Sequence, residues 1–259
     1  MTAVLEVKEL TKVFGGLTAV SEVSFTIPKG SIYGVIGPNG AGKTTIFNQI
    51  TGIYPPTAGD ILLEGKSLLG LKPHAIAQMG IARTFQNLRL FKKLTALENI
   101  MIACQHDSNY NLLTAIIRSK RYKEEEKRIK EEAENILEII GLSQYINQTA
   151  SNLPYGHQRR LEIARAMALK PKLLLLDEPA AGMNPEESLA LMEFIHDIKD
   201  RFRLTILLIE HHMEIVMGIC EHIVVLNFGK EIANGAPEAI QNNPDVITAY
   251  LGEEVPDDE

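Results

Sequence analysis

Gly37-Pro38-Asn39-Gly40-Ala41-Gly42-Lys43-Thr44-Thr45 carries the clearest chemistry in the sequence. It fits G-x-x-x-x-G-K-[ST]. Glycines let main-chain N–H groups turn inward and come close to anionic oxygens. Lys43 can reach the outer phosphates of a triphosphate as a point charge, and the Thr44 hydroxyl can serve Mg²⁺. The flanks agree. Ser31-Ile32-Tyr33-Gly34-Val35-Ile36 is a short apolar run suited to a buried strand. From Thr44 the sequence TTIFNQIT reads as a helix, whose positive end would face the phosphates.

Two further apolar runs end in groups that do chemistry. Leu173-Leu174-Leu175-Leu176 is followed by Asp177 and Glu178, and the run Thr205 to Ile209 by Glu210-His211-His212. Asp177 stands where a carboxylate can hold Mg²⁺ through water. Glu178 suits a general base for water attacking a γ-phosphate. His211 can sense the γ-phosphate or orient that water, although a lone histidine at a strand end is more often structural. Two acids after an apolar run can also simply end a strand. The phosphate loop upstream is what favours chemistry.

These groups need elements to position them. Val4–Leu10 and Ala19–Ile27 alternate apolar and polar residues, as half-buried strands do. Lys12-Val13-Phe14-Gly15-Gly16 reads as a turn between them, with Phe14 by itself an ordinary aromatic. Ile61 to Glu64 is expected as a strand, Lys66 to Leu71 as a loop, Pro73 to Met79 as a short helix, and Ile81 to Gln86 as a strand. Thr95 and Glu98 form a capping-box pattern opening a helix. Residues 107–112 read as loop, and Arg118 to Ile140 as a long helix with Glu124–Arg128 and Glu126–Lys130 pairs. Its basic cluster, Arg118, Lys120, Arg121 and Lys123, reads as a solvated face, with lipid headgroups or a partner as the alternative. Leu153 to Gln158 reads as a loop and Arg159 to Lys170 as a helix. Asn184, Pro185 and Glu187 mark another helix start, Met213 to Cys220 is helical, and Ile223 to Ala233 forms a hairpin. Helical patches follow from Pro237 to Gly252, with an acidic, frayed Glu253–Glu259.

Buried strands alternating with helices predict an α/β fold with ligands at the strands' carboxyl ends. The expected organisation is one domain: residues 1–86 and 160–235 as a P-loop NTPase (RecA-like) core with an N-terminal antiparallel β-subdomain, residues 87–159 as an inserted α-helical subdomain, and residues 236–259 as a C-terminal extension. The 259 residues are 45% hydrophobic, enough for a sizeable core. A net charge of −7 argues against general polyanion binding, so no nucleic acid is expected. Cys104 and Cys220 lie far apart, outside any metal-ligand spacing, which suits reduced structural thiols in a cytosolic protein. No apolar run approaches the ~18 residues of a membrane span, and MTAVLEVKELTK has no signal pattern. Work at a membrane would therefore go through a partner.

Phe14, the phosphate loop, Gln86, the Leu153–Gln158 loop, the Leu173–Glu178 run and His211 occur in the order and spacing of a known set. The chain resembles the ATP-binding subunit of an ABC transporter, from Val4 to Gly252. The resemblance implies that Phe14 stacks on adenine with Val20 nearby, and that residues 37–45 bind ATP. It implies that Gln86 senses Mg²⁺ and couples to a membrane subunit, that Asp177 serves the metal, that Glu178 is the base, and that His211 is the switch histidine. Leu153, Pro154, Tyr155, Gly156 and His157 would contact ATP bound to a second subunit. The cofactors implied are ATP and Mg²⁺. The partners implied are a second ATPase subunit, integral permease subunits and, indirectly, a solute-binding protein, at the cytoplasmic face of the plasma membrane.

Two stretches depart from the general family. Where it has Leu-Ser-Gly-Gly-Gln, this chain has Leu153-Pro154-Tyr155-Gly156-His157, and Pro154 lacks both the hydroxyl and an N–H. Ala181-Gly182-Met183-Asn184 replaces a stretch that usually ends in aspartate. The same departures, with Glu-Pro-Ala-Ala-Gly-Met-Asn-Pro, Ile-Glu-His-x-Met and the closing Ala-Tyr-Leu-Gly, resemble the ATPase subunit of branched-chain amino acid importers. An ATPase for another solute such as urea, and a poorly hydrolysing ATP-binding regulator, stand as alternatives. A non-transport ABC protein or a P-loop kinase fits less well.

Overall fold

The structure, a computed structural model, describes residues 2–107 and 120–251. The chain forms two compact units, one of Met1–Arg83 with Lys172–Glu259 and one of Thr84–Pro171.

The first unit holds two sheets. β1 (Ala3–Phe14) pairs antiparallel with β2 (Leu17–Pro28). β3 (Ile32–Ile36) runs into the phosphate-type loop and α1 (Lys43–Ile50). β4 (Ala58–Leu63) adds to β1 and carries the two-residue β5 (Lys66–Ser67), giving the order β2-β1-β4-β5. After α2 (Pro73–Met79) comes β6 (Ile81–Arg83). The remaining elements of this unit are β7 (Leu173–Asp177), α6 (Pro185–Phe202), β8 (Thr205–Ile209), α7 (Met213–Ile219), β9 (His222–Asn227), β10 (Lys230–Gly235), α8 (Pro237–Gln241) and α9 (Pro244–Leu251). The large sheet has the order β10-β9-β3-β8-β7-β6, parallel from β9 to β6 and closed by antiparallel β10. Every residue of β3, β7 and β8 is buried, as expected of strands covered on both faces. Phe47 and Ile50 of α1 join Leu5 and Ile27 of the small sheet and Leu175 and Leu207 of the large one in a single apolar cluster. The helix that begins at the loop is thus anchored by the core.

The second unit is helical. α3 (Ala96–Cys104) opens on Thr95 and Glu98, whose side chains cap each other's backbone N–H. It packs against α4 (Lys120–Ile139), which buries Ile129, Ala133, Ile136 and Leu137. α5 (Tyr155–Met167) completes the unit.

Several expectations need correction. β1 continues through Lys12, Val13 and Phe14, so only Gly15 and Gly16 make the turn; bulges with Glu9 and Glu22 at positive φ absorb the break in alternation. Lys66 and Ser67 form a short strand rather than loop. β6 stops at Arg83 and not at Gln86. α5 begins at Tyr155, four residues before the expected start, with Pro154 at the N-cap, where its missing N–H costs no helical hydrogen bond. The expected boundary after residue 159 therefore falls inside a helix, and the compact unit runs to Pro171. Arg128 pairs with Glu125 and Glu132, at 2.7 and 3.2 Å, and Lys130 with Glu134, in place of the predicted partners. The loop expected at 107–112 (beyond Asp107), Arg118 of the basic cluster, Gly252 and the Glu253–Glu259 tail lie outside the described residues. No helix among the described residues is long and apolar enough to cross a membrane. Cys104 and Cys220 are both buried, and neither is in a disulfide.

Candidate active site

The loop after β3 is shaped by close approach of backbone to backbone. Gly42 has φ +102°, and a Cβ there would stand 2.6 Å from the Ala19 carbonyl oxygen. Gly37 has φ +147°, and its Cβ would collide with the Leu226 carbonyl oxygen. Only glycine fits either position. Lys43 is 7% exposed, and its ammonium donates to the carbonyls of Pro38 at 2.9 Å and Gly37 at 2.5 Å. The charge is therefore seated at the centre of the loop. Gly42 provides no side-chain cap for α1, and no acid lies in its first turn. No acid of its own first turn offsets the positive end of α1, which suits an anion.

β8 lies between β3 and β7, so the groups that end these strands share the carboxyl edge of one sheet. Asp177 pairs in register with Ile209, and the Glu178 N–H donates to the Ile209 carbonyl at 2.9 Å. Glu178 sits at φ +45°. Its carboxylate approaches His211 Nδ1 at 3.8 Å. The fully buried Glu210 accepts from the N–H groups of Ala180 at 3.0 Å and His211 at 3.3 Å. It thereby ties the turn after Glu178 to the turn that carries His211. Asp177 is also buried, and its Oδ2 accepts from Arg83 Nη2 at 2.6 Å. Arg83 Nη1 donates in turn to Asn48 Oδ1 of α1 at 2.8 Å. Thr44 is exposed; its hydroxyl and the Asp177 carboxylate are hard oxygen donors of the kind Mg²⁺ takes. Glu210, His211 and His212 also bring ligand atoms within 4.8 Å of one another, but the Glu210 oxygens already serve two amides.

Phe14 is 40% exposed at the end of β1. Tyr54 meets its ring edge-on at 5.2 Å, and the Lys12 ammonium lies 4.9 Å from its centroid. Val20 is fully buried, 3.4 Å from where a Gly42 Cβ would be. It supports the loop from behind and offers no face to a base, which corrects the expectation for that residue.

In the helical unit Gln86 is exposed. Its carbonyl and that of Phe85 accept from Arg159, each pair at 2.8–2.9 Å. Of the 153–157 stretch, Pro154 and Tyr155 are exposed while Leu153 is core. His157 is half-buried with its ring 4.9 Å from Tyr145, and burial next to Arg160 lowers its pKa. Leu153 and His157 thus turn inward, and Tyr155, Gly156 and His157 form the first turn of α5 and no loop.

A family profile described as ABC transporter matches residues 20–181. The chain belongs to the ABC transporter family. A second profile, described as branched-chain amino acid ATP-binding cassette transporter, matches residues 230–256 of the cassette. It is 48% identical to the high-affinity branched-chain amino acid transport ATP-binding protein BraF of Pseudomonas aeruginosa, over 96% of this chain and 98% of the relative. LivG of Escherichia coli, named for the same transport, is 49% identical over 96% of this chain and 98% of its own length. A crystal structure of the ADP conformation of an ATP-binding cassette of an ABC transporter superposes with a TM-score of 0.84 at 31% identity, covering 97% of this chain and all of that one. The fold is that of a P-loop NTPase, and the cassette is an ATP-binding, ATP-hydrolysing subunit.

Sequence reasoning about the cassette missed Arg83, Arg159, Glu162 and Tyr54. Arg83 carried a signal: a cation at the end of an otherwise apolar strand needs a buried acid, and Asp177 ends the neighbouring strand. Arg159 and Glu162 carried none, because charges three apart on a helix usually face water.

Proposed function

We propose that this cassette energises an importer of branched-chain amino acids at the cytoplasmic face of the membrane, bound peripherally to permease subunits. The observation that carries the reading is near-full-length identity of 48–49% to two ATP-binding subunits named for that transport. The C-terminal profile match over residues 230–256 supports it independently.

The residues divide the work by chemistry. The Gly37–Thr45 amides and the Lys43 ammonium bind the triphosphate, with Phe14 stacking on adenine and Tyr54 fixing that ring's tilt. Thr44 and Asp177 would hold Mg²⁺, Asp177 through water, and Gln86 would couple the cassette to a permease subunit. Bound there, Mg²⁺ would offset charge on the outer phosphate oxygens. Glu178 takes the proton of the attacking water, and His211, 3.8 Å from Glu178, orients that water against the γ-phosphate. Two such subunits sandwich ATP, each loop facing the partner's 153–157 stretch. Because Pro154 provides neither hydroxyl nor N–H, a non-identical partner with an intact stretch best completes the site built on Lys43 and Glu178. A solute-binding protein delivers the amino acid from the other side.

Reconstitution with the permease subunits of a branched-chain amino acid importer is the test. ATP-dependent uptake of leucine, isoleucine or valine is expected. Uptake of a different solute alone, with none of these three carried, would overturn the assignment.

A further inference from the structure

Residues 85–91 have no regular secondary structure, yet side chains of the helical unit hold the backbone of Phe85, Gln86, Arg89 and Phe91. Arg159 is fully buried on α5. Its Nη1 donates to the Phe85 carbonyl at 2.9 Å and to Glu162 Oε2 at 2.8 Å. Its Nη2 donates to the Gln86 carbonyl at 2.8 Å and to the Tyr155 hydroxyl at 3.3 Å. Glu162, 2% exposed, accepts the Arg89 N–H at 2.8 Å. Asn99 of α3, also fully buried, accepts from the Phe91 N–H at 3.0 Å and donates to its carbonyl at 3.2 Å. The Arg165 guanidinium lies 5.3 Å from the Phe91 ring.

We propose that Arg159 and Glu162 are positioning residues that make residues 85–89, with Gln86 among them, one rigid piece with the helix that opens at Tyr155. The inference rests on the proposed transport function, in which Gln86 meets the membrane subunits and the 153–157 stretch meets the second ATPase.

The chemistry of the pair supports this role over a purely stabilising one. Taking an ion pair out of water costs roughly what the attraction returns, so an apolar pair of similar volume serves stability as well or better. An apolar pair cannot hold two successive carbonyls and an amide in fixed register. The planar guanidinium fork does so, addressing Phe85 and Gln86 with separate nitrogens while Glu162 holds both the fork and the Arg89 amide. A shift of α5 then moves Gln86 with it, and a push on Gln86 reaches the residues that precede Arg159. Ordinary loop anchoring through surface side chains would leave the two free to move separately.

The test compares Arg159→Met/Glu162→Leu, which removes both charges together, with Arg159→Lys, which keeps the charge and loses the fork. Hydrogen exchange is read on the subunit, and ATP turnover on the reconstituted complex with and without transported solute. Both variants should exchange the amides of residues 86–91 about tenfold faster, with amides of the large sheet unchanged. The solute-stimulated part of turnover should fall at least about threefold while basal turnover stays within about twofold. Unchanged exchange at residues 86–91, or stimulation kept in a variant whose exchange has risen, overturns the proposal. If the double variant does not fold, Arg159→Lys decides alone. A wild-type complex with no stimulation by any branched-chain amino acid counts against the transport reading, and the exchange result then decides the clamp.

Discussion

The loop at residues 37–42 is shaped by what its glycines lack, whereas residues 85–91 are shaped by what Arg159 and Glu162 supply. In the first, a Cβ at position 42 would stand 2.6 Å from a carbonyl oxygen, and the backbone itself forms the binding surface. In the second, a fully buried guanidinium and its carboxylate partner hold main-chain groups that have no ladder of their own. Backbone that only glycine can form constrains residue type and so leaves a strong motif. Backbone held by side chains keeps its shape only while those side chains stay put. The first arrangement suits a fixed ligand site, and the second suits a part that must move as a unit.

That contrast can be tested at graded cost. The largest effect is expected at Glu178, which acts on the chemistry and not on the cradle. Glu178→Gln should lower turnover by about 10²–10⁴-fold with ATP affinity unchanged, measured by single-turnover kinetics beside equilibrium binding. Undiminished turnover would remove Glu178 from the base role. Next is Arg83→Met, which leaves the buried Asp177 carboxylate without its partner at 2.6 Å. A loss of about 3–5 kcal/mol in denaturant unfolding is expected. A loss below ~1 kcal/mol would mean that Asp177 is rescued by water. Gly42→Ala forces a side chain into a φ of +102° beside the Ala19 carbonyl and should cost about 1–3 kcal/mol, with weaker ATP binding. A neutral result there would sink the steric account of the loop. The smallest effect concerns Cys220, whose thiol burial pushes up to about 12 and whose sulfur would lie 3.0 Å from a Cβ on Gly34 of β3. Its thiolate is scarce at pH 8, so native protein should resist iodoacetamide there while unfolded protein reacts at the ordinary thiol rate. Prompt native labelling would show that β3 is looser than its burial indicates.

The legible parts were those where geometry dictates residue type. The glycine loop, the Thr95/Glu98 and Asn184/Glu187 capping boxes and the buried strands at 173–177 and 205–209 were read within a residue of their observed bounds. The first strand was read short because the bulge at Glu9 breaks the period-two pattern and the glycines after Phe14 make Lys12–Gly16 look like a turn. The start of α5 was missed because Pro-Tyr-Gly looks like a helix breaker, although a proline at the cap is compatible with helix initiation. The family resemblance placed Val20 near the base, whereas β2 turns it into the core. The clamp at Arg159 and Glu162 was invisible for a physical reason: buried and solvated charges on a helix have the same spacing, and only tertiary contact tells them apart.

The central claim is that Lys43, seated among the loop's own carbonyls, supplies the charge that grips the triphosphate. Titrating ATP into Lys43→Ala, with thermal unfolding run alongside, tests it most directly. Affinity should fall by about two orders of magnitude and turnover should vanish, with the unfolding midpoint within a few degrees of wild type. Wild-type affinity together with wild-type turnover in that variant would contradict the account.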